Sequence, residues 1–162
     1  RRATRSTETK RELARGYFGW FFRIRPYPLQ ETRIGHGPAV FLRKHIDGQL
    51  KTAGATSEAV FNDYLRCYQQ PEMIHAVCED YRAAATVDLE HDAEDSDKRI
   101  VCPLQLLWGE KGTVGQLYDV VATWQDKAID VQGSALPCGH SPQEEVPEVF
   151  LTQLQGFLDS VL

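Results

Sequence analysis

Apolar residues recur along the first segment at Leu13, Tyr17, Trp20, Phe21 and Ile24. Steps of three and four place them on one face of a helix, predicted over Thr7–Arg25. Pro26 and Pro28 end it. Residues 26–56 are rich in Pro, Gly and polar groups around a short apolar patch at Val40–Leu42. They are expected to form loop with a helical turn or two. Ser57 can cap a helix that runs through Val60, Tyr64 and Tyr68 and stops before Pro71. Pro71 suits the first turn of the next helix, along which Ile74, Val77, Cys78, Tyr81 and Ala84 or Ala85 face one way.

The character changes at Asp92. Asp92–Lys98 is a charged connector with four acids among seven residues. Ile100–Gly109 follows as a near-continuous apolar run closed by glycine. That pattern suits a strand buried on both faces of a parallel sheet. Gly109–Gly115 is turn-rich, and Leu117, Val120, Val121 and Trp124 form a helical stripe. Ile129–Leu136 reads as a second strand with Gly133 inside it, and Pro137–His140 as a loop. Ser141-Pro142-Gln143-Glu144 reads as a capping box with proline at the first helical position. The last helix carries Val146, Phe150, Leu154, Phe157, Leu158 and Val161 on one side. The order is helices first, then β-α-β-α, which implies an α/β fold with a parallel strand pair. The expected division is a helical segment over residues 1–92 and an α/β segment over 93–162. Two parallel strands make no stable sheet alone. The chain is therefore expected to need a neighbour, either as a homo-oligomer or through a complementing chain.

Composition adds exclusions. The 162 residues are 42% hydrophobic and 25% charged, ordinary globular values, with no repeat or low-complexity tract. A net charge of −5 argues against a nucleic-acid binder, which shows a basic face. The basic residues clustered in the first 25 positions read as a solvent face. No signal peptide or membrane-length apolar run is visible. The expected location is therefore cytoplasmic, with no membrane partner. The chain does not begin with Met, which fits a fragment. Cys67, Cys78, Cys102 and Cys138 lack CxxC spacing and are expected as free thiols, with no metal site.

His140 is the first candidate for chemistry. It directly follows a predicted strand and precedes a helix N-terminus. Open α/β sheets bind ligands at the carboxyl ends of their strands, and a histidine there can move a proton near neutral pH. His36, His45, His75 and His91 lack this placement and read as non-functional. The run Leu106-Leu-Trp-Gly-Glu110, followed by a helix, a strand and Cys138-Gly-His140, resembles the last third of the α/β-hydrolase fold. Met73–Arg82, Ala85–Asp92, Trp108–Asp119 and Ala135–His140 together resemble the haloacetate dehalogenases, especially those active on fluoroacetate. The resemblance runs from the Thr7 helix onward. It implies the cap plus the last two strands and helices of such a hydrolase.

In that family an aspartate displaces halide from the α-carbon of a haloacetate, and a histidine then activates the water that hydrolyses the ester. The resemblance assigns that base to His140. It also assigns leaving-group contacts to Trp20, where the family's His-Trp pair reads Gly19-Trp20, and to Tyr81. Gly19 removes one donor from the halide cradle. Fluoride depends most on such donors, so the departure bears on defluorination before dechlorination or debromination. No strand–Asp–helix elbow occurs in the chain. Gly112 stands where many related hydrolases carry an acid, as W-G-x-x-D, and Glu110 nearby reads as a loop residue. No organic cofactor or metal is implied. The substrate class is a small halogenated carboxylate, and the chain alone is expected to be inactive. The alternatives are an epoxide hydrolase-like fragment and a truncated, non-catalytic, self-associating domain.

Overall fold

The computed structural model describes residues 18–162, the side chain of Phe18 excepted. Leu13 and Tyr17 of the first predicted stripe lie outside the described residues. The chain forms two compact units. The first runs through Ile46 and resumes over Ser57–Ser96, and the second comprises Asp47–Thr56 and Asp97–Leu162. The division at residue 92 read from the sequence thus differs by an excursion, since 47–56 packs with the later residues.

The first unit is helical: α1 Phe18–Arg23, α2 Leu29–Gly35, most of α3 Pro38–Gln49, α4 Glu58–Tyr68, α5 Pro71–Ala84 and α6 Val87–Glu94. The reading of 26–56 as mostly loop is corrected by α2 and α3. Pro38 opens α3, where its missing N–H is not needed. Ile34 and Leu42 are buried, and Phe41 and Ile46 pack beside them. Gly35, Gly48, Lys44 and Asp47, among the residues that suggested loop, are exposed. Ser57 does cap α4, its Oγ accepting from the Val60 N–H at 3.3 Å, and Pro71 occupies the first turn of α5. Ile34, Leu42, Phe61, Tyr68, Ile74 and Cys78 form one buried cluster. Each large apolar side chain there contributes about 1.5–3 kcal/mol through burial. A further helix, α6, covers the start of the charged connector.

The second unit holds β1 Leu104–Gly109 and β2 Val131–Leu136, paired in parallel with Leu104 opposite Val131 and Gly109 opposite Leu136. Two short helices cross between them, α7 Thr113–Leu117 and α8 Val120–Gln125. The single helix expected there is broken because Asp119 caps α8, accepting from the Ala122 N–H at 3.0 Å. The expectation that Ile100–Gly109 is buried on both faces is also corrected. Val101 is 78% exposed, and only Leu106 and Gly109 of β1 are buried. The sheet has two strands among the described residues, so each keeps an unpaired edge and incomplete cover. The final helix divides into α9 Pro142–Glu145 and α10 Pro147–Val161. Val146 between them leaves the helical region, at φ −144° and ψ 56°, as a residue before proline tends to do. Along α10, Phe150, Leu154 and Phe157 are half-buried, while Leu158 and Val161 are exposed. Among the described residues no helix is long and apolar enough to cross a membrane.

Candidate functional site

Parallel pairing brings the carboxyl ends of β1 and β2 side by side, and the two loops leaving them are fastened together. The Glu110 N–H donates to the Leu136 carbonyl at 2.9 Å, and the Lys111 N–H to that of Cys138 at 3.0 Å. A Cβ at Gly109 would stand 1.6 Å from the Gly139 carbonyl oxygen, so only glycine lets the loops approach this closely. His140 lies on the β2 loop with an exposed side chain. Among the described residues no acid is hydrogen-bonded to its ring. Gly112, the W-G-x-x-D position, sits against this loop: its Cβ would be 3.1 Å from the Gly139 oxygen. The place beside the histidine loop is real, but it carries no carboxylate.

What holds the His140 loop is Glu145, which is 6% exposed. Its Oε2 accepts from the backbone N–H groups of Lys51 at 2.7 Å, Thr52 at 2.9 Å and Gly139 at 2.9 Å. Its Oε1 accepts from the Ser141 N–H at 3.2 Å. The His140 N–H itself donates to the Gln49 carbonyl at 3.1 Å. The 49–52 segment and Glu145 thus clamp the residues on both sides of His140. Burial alone would push the Glu145 carboxyl up, but the donors from Lys51, Gly139 and Ser141 outweigh it and hold it below the usual range. The capping box expected from Ser141 and Glu144 is corrected here. Ser141 makes no side-chain cap, Glu144 accepts from the Thr56 hydroxyl at 2.9 Å, and Glu145 reaches back instead. Sequence reasoning missed Glu145, Gln49, Lys51 and Thr52. The Glu144-Glu145 pair after Ser-Pro was visible, but the Lys51 and Thr52 donors to Glu145 lie more than ninety residues away in a stretch read as loop.

Trp20 and Tyr81 lie in the first unit, whereas His140 lies in the second. Helix α1 packs on α5, which carries Tyr81. The two aromatic residues are half-buried, and Trp20 meets Phe21 edge-on at 5.5 Å. Between α1 and α5 stands Arg23, 2% exposed, with its guanidinium carbon 4.6 Å from the Tyr81 ring centre and 5.2 Å from that of Phe41. Tyr68 and Cys78 are held above their usual pKa by burial, which is partly offset by the charge of Arg23 at Tyr68 and by those of Arg82 and then Arg23 at Cys78. Burial pushes the Cys78 and Cys138 thiols up, which disfavours their thiolate forms, and all four cysteines are free of disulfides.

One grouping has metal-like composition: ligand atoms of Glu31, His75 and Glu79 lie within 4.8 Å of one another. Arg82 already occupies it, donating to Glu31 at 2.7 Å and to Glu79. The Glu31 carboxyl is held low, against its burial, by the Arg82 hydrogen bond. The grouping is an ion-pair network with its own cation.

No family model matches the chain. Solved structures do, and the fold they share is that of the C-terminal half of an α/β-hydrolase. A candidate α/β-hydrolase from Nostoc sp PCC 7120 is 48% identical with a TM-score of 0.88, over 93% of this chain and 53% of that one. A candidate acyltransferase from Salmonella enterica is 70% identical with a TM-score of 0.91, over 93% of this chain and 50% of that one. Among curated proteins, a fluoroacetate dehalogenase from Burkholderia sp is 31% identical over 93% of this chain and 50% of its own length. The chain therefore spans about half the length of the relatives it matches.

Proposed function

We propose that the chain supplies the water-activating base and the leaving-group contacts of a haloacetate dehalogenase-like hydrolase. The nucleophile would come from a strand–Asp–helix elbow on another stretch of polypeptide. The observation that carries this reading is His140, fixed at the carboxyl end of a parallel strand by a loop clamped on Glu145. The dehalogenase likeness adds the substrate class, a small halogenated carboxylate.

In this reaction a carboxylate attacks the halogen-bearing carbon, the carbon–halogen bond breaks, and halide leaves with the electron pair. An aspartyl ester results. His140 then takes a proton from water as hydroxyl attacks the ester carbonyl, and the collapse releases the hydroxy acid. Trp20 can donate its indole N–H, and Tyr81 its hydroxyl, to the departing halide.

The test is halide release from bromoacetate and fluoroacetate. The pure chain should give none, and halide release by the pure chain would refute the reading. Co-expressed with an elbow-bearing half, it should release halide. His140→Asn should then stop turnover after the ester forms, leaving an added mass on the aspartate. Release that survives His140→Asn would also refute the reading.

An epoxide hydrolase is the second reading, favoured by a 34% identical candidate epoxide hydrolase from Pseudomonas aeruginosa with a TM-score of 0.83. Diol formation from an epoxide without halide release from a haloacetate would select it. As the chain stands, the open sheet edges and the exposed residues of α10 support self-association or a complementing chain. Light scattering showing a clean monomer with a cooperative melt would sink that part.

A further inference from the structure

The stretch Asp47–Thr56 belongs with the second unit, although the chain on both sides of it builds the first. It begins in the last turn of α3 and ends beside Ser57, the cap of α4. What draws it to the second unit is polar. The Gln49 carbonyl accepts from the His140 N–H at 3.1 Å. The Lys51 and Thr52 N–H groups donate to Glu145 at 2.7 and 2.9 Å. Farther on, the Thr56 hydroxyl donates to Glu144 at 2.9 Å. The stretch is thus latched in two places by neighbouring acids of one short helix, α9.

Between the latches lies Gly54, whose φ of +74° is the one positive value among the described residues. A Cβ there would meet nothing within 4 Å. Backbone conformation, not crowding, therefore calls for glycine. The chain must turn between Thr52 and Thr56 to satisfy both latches. Gly54 makes that turn, with the Ala55 N–H reaching the Thr52 carbonyl at 3.4 Å.

We propose that residues 47–56 form a positioning strap for His140, with Gly54 as its pivot and Glu144 and Glu145 as its latches. Gln49 holds the His140 backbone directly. Lys51 and Thr52 hold it through Glu145, which also fixes Gly139 and Ser141 on either side. Because the strap joins α3 to α4, the placement of His140 is coupled to the path of the chain between those helices. The strap's part in turnover rests on the reading of His140 as the base, whereas its hold on the loop is read without turnover.

Gly54→Ala strains the pivot without touching a neighbour, and hydrogen exchange of the intact chain reads the result amide by amide. The N–H groups of Gly139 and His140 should exchange about tenfold faster, while the amides around Ile74 and Cys78 in α5 keep the parent rate. Gly54→Asn, which tolerates the left-handed region, should stay within about threefold of the parent. Gly48→Ala sets the same methyl earlier in the strap, outside that region and also in open space, and should speed neither amide. If Gly54→Ala fails to fold, Thr56→Val removes one latch and should speed the same two amides. In the complemented enzyme, Gly54→Ala should form the aspartyl ester at the parent rate and hydrolyse it about tenfold slower, since His140 serves the second step alone. Parent-like exchange at Gly139 and His140, acceleration spread evenly over all slow amides, or equal acceleration in Gly48→Ala would overturn the strap. Faster exchange with unchanged ester hydrolysis would overturn its positioning role. A complemented parent that releases no halide would instead remove His140 as the base and leave the exchange result standing.

Discussion

Among the described residues each unit buries one formal charge, Arg23 or Glu145, and the two are treated in opposite ways. Glu145 in the second unit is surrounded by four backbone N–H donors and needs nothing more. Arg23 in the first lies between the faces of Phe41 and Tyr81 with the Tyr68 hydroxyl beside it, and its Nε and Nη1 make no well-formed hydrogen bond. A buried ion whose hydrogen bonds are complete rigidifies its surroundings, whereas one that is incomplete is paid for by some other role. The contrast marks Glu145 as a positioning residue for the His140 loop, and Arg23 as a charge held by ring faces rather than by a full set of hydrogen bonds.

The comparison breaks most visibly at Glu145. Glu145→Ala orphans the N–H groups of Lys51, Thr52, Gly139 and Ser141 and should cost about 3 kcal/mol or more, since each buried donor left unmet costs about 1–3 kcal/mol. Urea denaturation followed by circular dichroism measures it. Glu145→Gln keeps the shape but turns an amide N–H₂ toward some of those donors, so it should recover only part of the loss. A Glu145→Ala variant as stable as the parent would mean that the clamp is ornamental.

Gly139→Ala probes the same clamp from the other side. Its Cβ would meet the Gln49 carbonyl oxygen at 2.5 Å and Glu145 Oε1 at 2.7 Å. Backbone atoms give way poorly, so the expected loss is about 1–3 kcal/mol, as for an overpacked interior. Proteolysis should open the His140 loop first in this variant, and an unchanged cleavage pattern would argue that the loop is held elsewhere.

Acid titration separates the clamp from the rest. The folded-state pKa of Glu145 lies below its ordinary 4.5. The stability it confers is therefore present above about 4.5 and is lost as pH falls through the lower, folded value. Glu31, also held low, acts in the same window through Arg82 in the first unit. Melting temperature should drop as pH falls below 4.5, and the drop should be shallower in Glu145→Gln. Equal slopes in parent and variant would remove Glu145 from the acid transition.

Much of this architecture was legible in the residues. Pro71, the Ser57 cap and the period of Ile74, Cys78 and Tyr81 gave α4 and α5. The Leu106–Gly109 run and Gly133 gave a parallel pair ending at the loop that carries His140. Less legible was anything that depended on distant partners. Val40–Leu42 appeared as a patch because its helix shows only a narrow apolar stripe amid Arg43, Lys44 and Asp47. Glu145 carried no local signal because two of its four donors lie at residues 51 and 52. Arg23 looked like one more basic residue near the start of the chain. Nothing local tells a solvated arginine from one that a helix packing onto α1 has enclosed.

Arg23→Met gives the smallest expected change in stability and the sharpest contrast. Truncating one partner of a satisfied buried charge leaves the other uncompensated and is strongly destabilising. Replacing an uncompensated charge by an apolar side chain of similar length removes a desolvation cost instead. Methionine fits irregular apolar space and can lie between Phe41 and Tyr81 with favourable sulfur–ring contacts. It forfeits the two cation–π contacts, a loss of the same order as the gain. The variant should therefore unfold within about 1 kcal/mol of the parent in urea denaturation. A large loss would instead place Arg23 beside Glu145, as a charge the fold itself requires.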